Sequence, residues 1–308
     1  MSDKIDLITY PDSLGKNLKE LREILRDFRP YLDGVHILPF FPSDADRGFS
    51  PLTQLEVDPA FGDWSDIAAL AAEWELTADL IVNHLAASSE EFRDFLAKGA
   101  RSPYAEWFIT AEKFSRRLFP NRRRTPAWLS LSEKAVNFLR RADKFFHRHG
   151  VNKLALRKIY RPRPGDPFVT FSCGDGRRRS LWCTFSPRQI DWDVKNPQVF
   201  ARLERYMDRL AEAGVKIIRL DAIGYVIKKR GRSGFMIGET YRFIRRLAEA
   251  AASRNLRVLP EVHAPWQTQS RLAALPEVDY VYDFQLPLLV LYALLRRDAR
   301  PLRRWIEI

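Results

Sequence analysis

A chain of 308 residues with 46% hydrophobic and 29% charged side chains can bury a sizeable core, which excludes a disordered chain and a small disulfide-stapled one. Its net charge of +12 first raises nucleic acid or an anionic ligand, but the charge is concentrated: fifteen Lys or Arg against two acids, Glu133 and Asp143, lie between Arg116 and Arg163. That local excess of thirteen exceeds the total, so the rest of the chain is close to neutral, and no nucleic-acid reading module accompanies it.

The opening MSDKIDLITY has no basic n-region and no apolar h-region, so no secretory signal is expected. The longest apolar run, 286–295, is too short to span a bilayer. Cys173 and Cys183 read as reduced, buried thiols without a catalytic part, and a cytoplasmic protein is expected. The few histidines show no ligand spacing such as HExxH, so neither metal nor cofactor is expected.

Short β-like segments alternate with amphipathic ones, the pattern of βα units around a parallel sheet. Residues 5–9 predict a strand. Residues 18–29 predict a helix, with Asn17 as N-cap and Leu18, Leu21, Ile24, Leu25 and Phe28 on one face. A strand follows at 34–39 (GVHILP), a helix at 65–75 and a strand at 77–82 (TADLIV). More than a hundred residues then break the rhythm, and an excursion of that length predicts a subdomain of its own. It holds the basic stretch, a helix at about 132–147, the Pro-rich IYRPRPGDPF, and β-like segments at 168–173 and 181–185. The rhythm resumes with a helix at 198–213, a strand at 215–220 (VKIIRL), a helix at 239–254, strands at 256–260 and 280–282, and an apolar helix at 287–295.

Six such units with right-handed crossovers lead to a doubly wound sheet or an eight-stranded barrel. No GxGxxG follows the first strand, which disfavours the nucleotide-binding version. The expected fold is α/β, a (β/α)8 TIM-barrel type left incomplete, with a subdomain inserted after strand three. Its parts would be 1–84 (first part of the barrel), 85–190 (the insertion) and 191–308 (barrel continuation through strand six).

Barrel enzymes carry their working groups at the C-terminal ends of strands. Those positions hold Asn83-His84 after strand three, Arg219-Leu220-Asp221 at strand four, Glu261-Val262-His263 after strand five and Asp283-Phe284 after strand six. Asp221 and Glu261 crown successive strands, and a retaining glycoside mechanism needs two carboxyls about 5–5.5 Å apart, one as nucleophile and one as acid/base. Arg219, two residues before Asp221 on the same strand face, is expected to keep Asp221 ionised, while the apolar neighbours Val258, Leu259, Pro260 and Val262 are expected to raise the Glu261 pKa.

The segments LITYPDSLG, DGVHILPFFP, DRGF, ADLIVNH, IYRPRPG, RLDAIGY, EVH and VYDFQLP, in this order, resemble the sucrose phosphorylase branch of the alpha-amylase superfamily. The resemblance covers the chain except for 116–158. It implies Asp221 as the nucleophile that forms a β-glucosyl enzyme and Glu261 as acid/base. It also implies a first sugar subsite from Asp46, Phe49, His84 and Arg219, an acceptor side lined by Phe185, Gln189 and Tyr225, and phosphate contacts from Arg163 and His263. The family's third carboxylate, in a DTHDG-like block after strand seven, has no counterpart in this sequence, so the chain by itself is expected to be nearly inactive.

The expected substrates are thus sucrose, or a related glucoside, and phosphate, with no nucleic-acid or membrane partner. Two readings stand beside this one: a sucrose 6-phosphate or glucosylglycerate phosphorylase, and a non-catalytic remnant whose basic segment binds a polyanion.

Overall fold

The computed structural model describes residues 4–115, 147–148, 151–152 and 156–307. Strands β1 (Asp6–Thr9), β2 (Gly34–Ile37) and β3 (Glu75–Ile81) alternate with helices α1 (Leu18–Leu25) and α2 (Trp64–Glu73). Helix α1 starts where the Asn17 side chain accepts the Glu20 N–H at 2.9 Å, and it buries Leu18, Leu21 and Leu25. Each of those side chains stabilises the fold by about 1.5–3 kcal/mol. A three-residue 3-10 turn, Arg26–Phe28, extends the helix, in place of the continuous helix expected to 29. Helix α2 begins with a capping box in which the Asp63 and Asp66 side chains satisfy each other's backbone N–H groups.

Beyond Ile81 the chain leaves the sheet. It forms β4 (His84–Ala86), α3 (Glu90–Lys98), α4 (Ala111–Ser115) and the two-residue pieces β5 (His147–Arg148) and β6 (Val151–Asn152), then the hairpin β7 (Phe168–Ser172) and β8 (Arg178–Trp182) and the short β9 (Gln189–Asp191). The helix expected at about 132–147 and most of the basic stretch lie outside the described residues. Ile109, Phe114, Phe168 and Trp182 build a small core of their own beside the main one. Strand β4 pairs antiparallel with β9, His84 opposite Asp191 and Ala86 opposite Gln189, so the excursion is cinched where it leaves and rejoins the sheet.

Helix α5 (Pro197–Glu212) opens with Asn196 as cap and Pro at its first position, and it buries Val199, Phe200, Leu203, Met207 and Leu210. It leads to β10 (Ile217–Asp221), α6 (Gly238–Ala252), β11 (Arg257–Pro260), α7 (Trp266–Ala273), α8 (Leu286–Arg296) and α9 (Arg300–Ile306). The sheet order is β1-β2-β3-β10-β11, every pair parallel. Residues 280–282, expected as a sixth strand, form none. The Tyr280 N–H donates to the Val258 carbonyl at 3.2 Å and the Asp279 carboxylate takes the Val258 N–H, so a side chain occupies one place in the ladder. Helix α8 is apolar all round yet buries no residue, with Leu288, Leu294 and Leu295 at least 64% exposed. Among the described residues no helix is long and apolar enough to cross a membrane.

Candidate active site

The register between β3 and β10 sets Arg219 directly opposite Asp79 and Asp221 opposite Ile81. Parallel strands point every second side chain the same way, so Arg219 and Asp221 emerge together at the C-terminal edge, and Glu261 follows the end of the neighbouring β11. The Arg219 guanidinium bonds Asp79, reaches Asp221 Oδ1 at 3.2 Å and approaches Glu261 Oε1 at 3.3 Å. One rigid fork thus spans three carboxylates, a task suited to its planar set of donors. Asp79 has no exposed surface and also bonds His36 Nε2 at 3.0 Å.

Asp221 and Glu261 open into one cavity of about 190 Å³ lined by Asp46, Phe49, His84, Phe185, Gln189, Arg219, Asp221, Ala222 and Glu261. Two larger hollows, of about 250 and 290 Å³, lie elsewhere; the first is lined by no carboxylate and the second by Asp283 alone. Backbone strain gathers at the smaller one. Ala222, directly after Asp221, has φ 52, and its N–H donates to Glu261 Oε2 at 3.0 Å; Asp46, on the facing loop, has φ 57. Non-glycine residues in that region are strained and are commonly found at functional sites.

Electrostatics differ from the expectation drawn from neighbours in sequence. Burial, reinforced by the Glu261 charge, raises the Asp221 pKa well above the carboxylate range, and Arg219 only opposes this. The Asp221 side chain is 10% exposed and that of Glu261 is 30%. Val258 and Val262 are buried in the main core and do not line the cavity, while the Glu261 side chain keeps part of its surface exposed. Among these groups Asp221 is therefore the more desolvated.

His84 and Gln189 form the wall opposite, brought side by side by the β4–β9 pair. His84 Nε2 lies 2.8 Å from the Phe49 carbonyl, and Gln189 Nε2 donates to Asp46 Oδ2 and to the same carbonyl, both at 3.1 Å. Burial holds the His84 pKa below its usual value, so the ring is neutral near pH 7. Phe185 sets its ring edge-on to His84 at 5.4 Å, and Tyr225 backs Phe185 at 5.5 Å without lining the cavity.

Besides Tyr225, two further expected residues do not line the cavity. His263 is exposed and stacks on Phe284 at 4.6 Å. Arg163 is exposed in a bend at 162–163; Arg161 turns inward instead and donates to the Cys183 and Thr184 carbonyls at 2.9 and 3.1 Å. Residues not foreseen are Asp79, Asp191, Lys228 and Tyr282, the last half-buried beside Arg219. Cys173 and Cys183 are free and buried, and burial pushes the Cys183 thiol up, away from reactivity. Among the described residues no cluster of His, Cys, Asp and Glu could hold a metal ion.

No family profile matches the chain. Curated relatives do: it is 43% identical over its whole length to a sucrose phosphorylase from Agrobacterium vitis, of which it covers 57%, and 38% identical to one from Bifidobacterium adolescentis, of which it covers 55%. Its whole length also superimposes, with a TM-score of 0.85 and 37% identity, on 57% of a sucrose 6F-phosphate phosphorylase crystal structure from Thermoanaerobacter thermosaccharolyticum. The chain thus spans little more than half the length of the curated relatives it matches.

Proposed function

We propose, for a chain homologous along its length to the sucrose phosphorylase branch of the alpha-amylase superfamily, that it carries the nucleophile and acid/base of a retaining glycoside phosphorylase acting on sucrose. The single observation behind this reading is the pair Asp221 and Glu261, held by one guanidinium at the mouth of one cavity. The Asp221 carboxylate attacks the anomeric carbon of the glucosyl unit while Glu261 gives its proton to the departing fructosyl oxygen. A β-glucosyl ester on Asp221 results. Glu261, now ionised, takes a proton from phosphate, whose oxygen displaces Asp221 and yields α-glucose 1-phosphate. Two inversions give retention.

Burial raises the Asp221 pKa, whereas the reaction needs Asp221 ionised and its proton on Glu261. A bound sugar that excludes water and places hydroxyl donors around Asp221 would favour this transfer, because hydrogen bonds to the charged form lower a carboxyl pKa. Asp46, Phe49, His84 and Arg219 hold the glucosyl ring, with the Phe49 face as its apolar platform, and Phe185, Gln189 and Tyr225 border the acceptor. Arg163 and His263 remain the proposed phosphate contacts, which requires both to move inward from the positions described above.

The test is glucose 1-phosphate formation from sucrose and phosphate, by the chain and by a chimera that appends the remaining part of the Agrobacterium vitis relative and so supplies a third carboxylate. Turnover by the chimera that vanishes in D221N and E261Q supports the reading. A folded chimera that gives no glucose 1-phosphate from sucrose, sucrose 6-phosphate or glucosylglycerate would end it, and phosphate-independent release of glucose would mark a hydrolase.

A further inference from the structure

The loop after β10 contributes a charged group that the chemistry above leaves unused. The Lys228 side chain is 2% exposed. Its Nζ donates to Asn83 Oδ1 at 2.6 Å and pairs with Asp191 Oδ2, and both partners are fully buried. Asp191 also accepts the Thr184 N–H at 2.7 Å and the Thr184 hydroxyl at 2.6 Å, one residue before Phe185.

A lysine ammonium has donors and no acceptor, so the Asn83 atom that meets it must be the carbonyl oxygen. The amide nitrogen then faces the other way, 2.8 Å from Asp191 Oδ2 and 3.3 Å from His84 Nδ1. An amide N–H only donates, which makes His84 Nδ1 the unprotonated ring nitrogen. The proton of the neutral imidazole is left on Nε2, where the Phe49 carbonyl at 2.8 Å can only accept. Gln189 Nε2, 3.2 Å from the same ring nitrogen, sends its hydrogens to Asp46 and Phe49.

We propose that Lys228 is a positioning residue that fixes His84 as the Nε2–H tautomer through Asn83, and so determines which hydrogen-bonding group this wall offers to the cavity. Without the ammonium, Asp191 is an isolated buried carboxylate and takes up a proton. A protonated carboxyl donates as well as accepts, so the Asn83 amide loses both reasons for its orientation. The consequence for sugar binding rests on the glycoside phosphorylase reading; the tautomer itself does not.

The experiment is a two-bond 15N–1H correlation spectrum of the 308-residue chain labelled at histidine, with His84 assigned by its loss in H84Q. Wild type should show the Nε2–H tautomer alone. K228M should show a mixture or the Nδ1–H form. K228R, which keeps a donor-only cation opposite Asn83, should retain Nε2–H. A wild-type or K228R spectrum with Nδ1–H, or a folded K228M that stays purely Nε2–H, overturns the proposal. Should K228M fail to fold, the wild-type and K228R spectra carry the test. The readout needs no turnover, so an inactive chimera with Nε2–H His84 would sink the phosphorylase reading and leave this assignment standing.

Discussion

Replacing Arg219 by Met removes the cation that spans Asp79, Asp221 and Glu261 while keeping the length of its stem. Asp79 has no exposed surface and would keep only the His36 ring nitrogen as partner, so losing the guanidinium costs up to about 3–5 kcal/mol. The contribution of Glu261, 30% exposed, is discounted for solvent screening. The pH dependence gives the test its discrimination. Asp221 is raised in the folded chain, so its contribution to stability is undiminished below the ordinary Asp range and is lost as pH rises toward the raised value. Without Arg219 that loss continues to higher pH, by up to about 1.4 kcal/mol per pH unit for each carboxyl involved. Urea unfolding at about pH 5 and about pH 8, followed by circular dichroism, should find R219M much less stable at the higher pH and closer to the parent at the lower. A deficit that is equal at both pH values, or absent, would show that Arg219 is not what holds the carboxylate cluster together.

D221N removes a desolvated, like-charged carboxyl, so the chain should gain about 1–2 kcal/mol near pH 8 in the same urea assay, while the chimera loses at least about three orders of magnitude in glucose 1-phosphate formation. F185A takes the ring away from His84 and Tyr225 and should raise the chimera's KM for sucrose about tenfold, a loss of about 1.4 kcal/mol. A Cβ at Gly174 would stand 2.3 Å from the Ala97 carbonyl oxygen, so G174A should lower stability by about 1–3 kcal/mol in thermal unfolding. Leu294 and Leu295 expose about three-quarters of their surface, and L294E/L295E should reduce self-association of the chain as measured by sedimentation.

Much of this was legible in the sequence because parallel strands buried on both faces read as apolar runs, and their ends announce themselves by a change to polar residues. Asp221, Glu261 and His84 are found that way. Asp79 is not, since TADLIV reads as the body of a strand. The available signal was a single acid in one apolar strand and a single Arg in another, an arrangement that burial permits only when the two meet; the register sets them face to face. Lys228 escaped notice as one of two lysines in GYVIKK, where nothing local reveals that the first turns inward and the second, Lys229, pairs on the surface with Glu239. The raised Asp221 pKa is not legible either, because Arg219 is its neighbour in sequence while the burial that outweighs it is set by the fold. Residues 280–282 were expected in a strand from their apolar character alone, but no propensity could report that Asp279 takes the Val258 N–H.

Strands β3 and β10 are neighbours in space, yet paired partners such as Thr77 and Ile217 are far apart along the chain. Closing a loop costs entropy that grows only with the logarithm of its length, so doubling the excursion would cost only about 0.6 kcal/mol. The tips of the excursion can therefore lengthen, shorten or change charge during evolution with little penalty to the cavity. A single residue inserted within β4 or β9 is a different matter, because a slip of one position turns every side chain of a strand to its other face and would swing His84 or Gln189 away from the carboxylates.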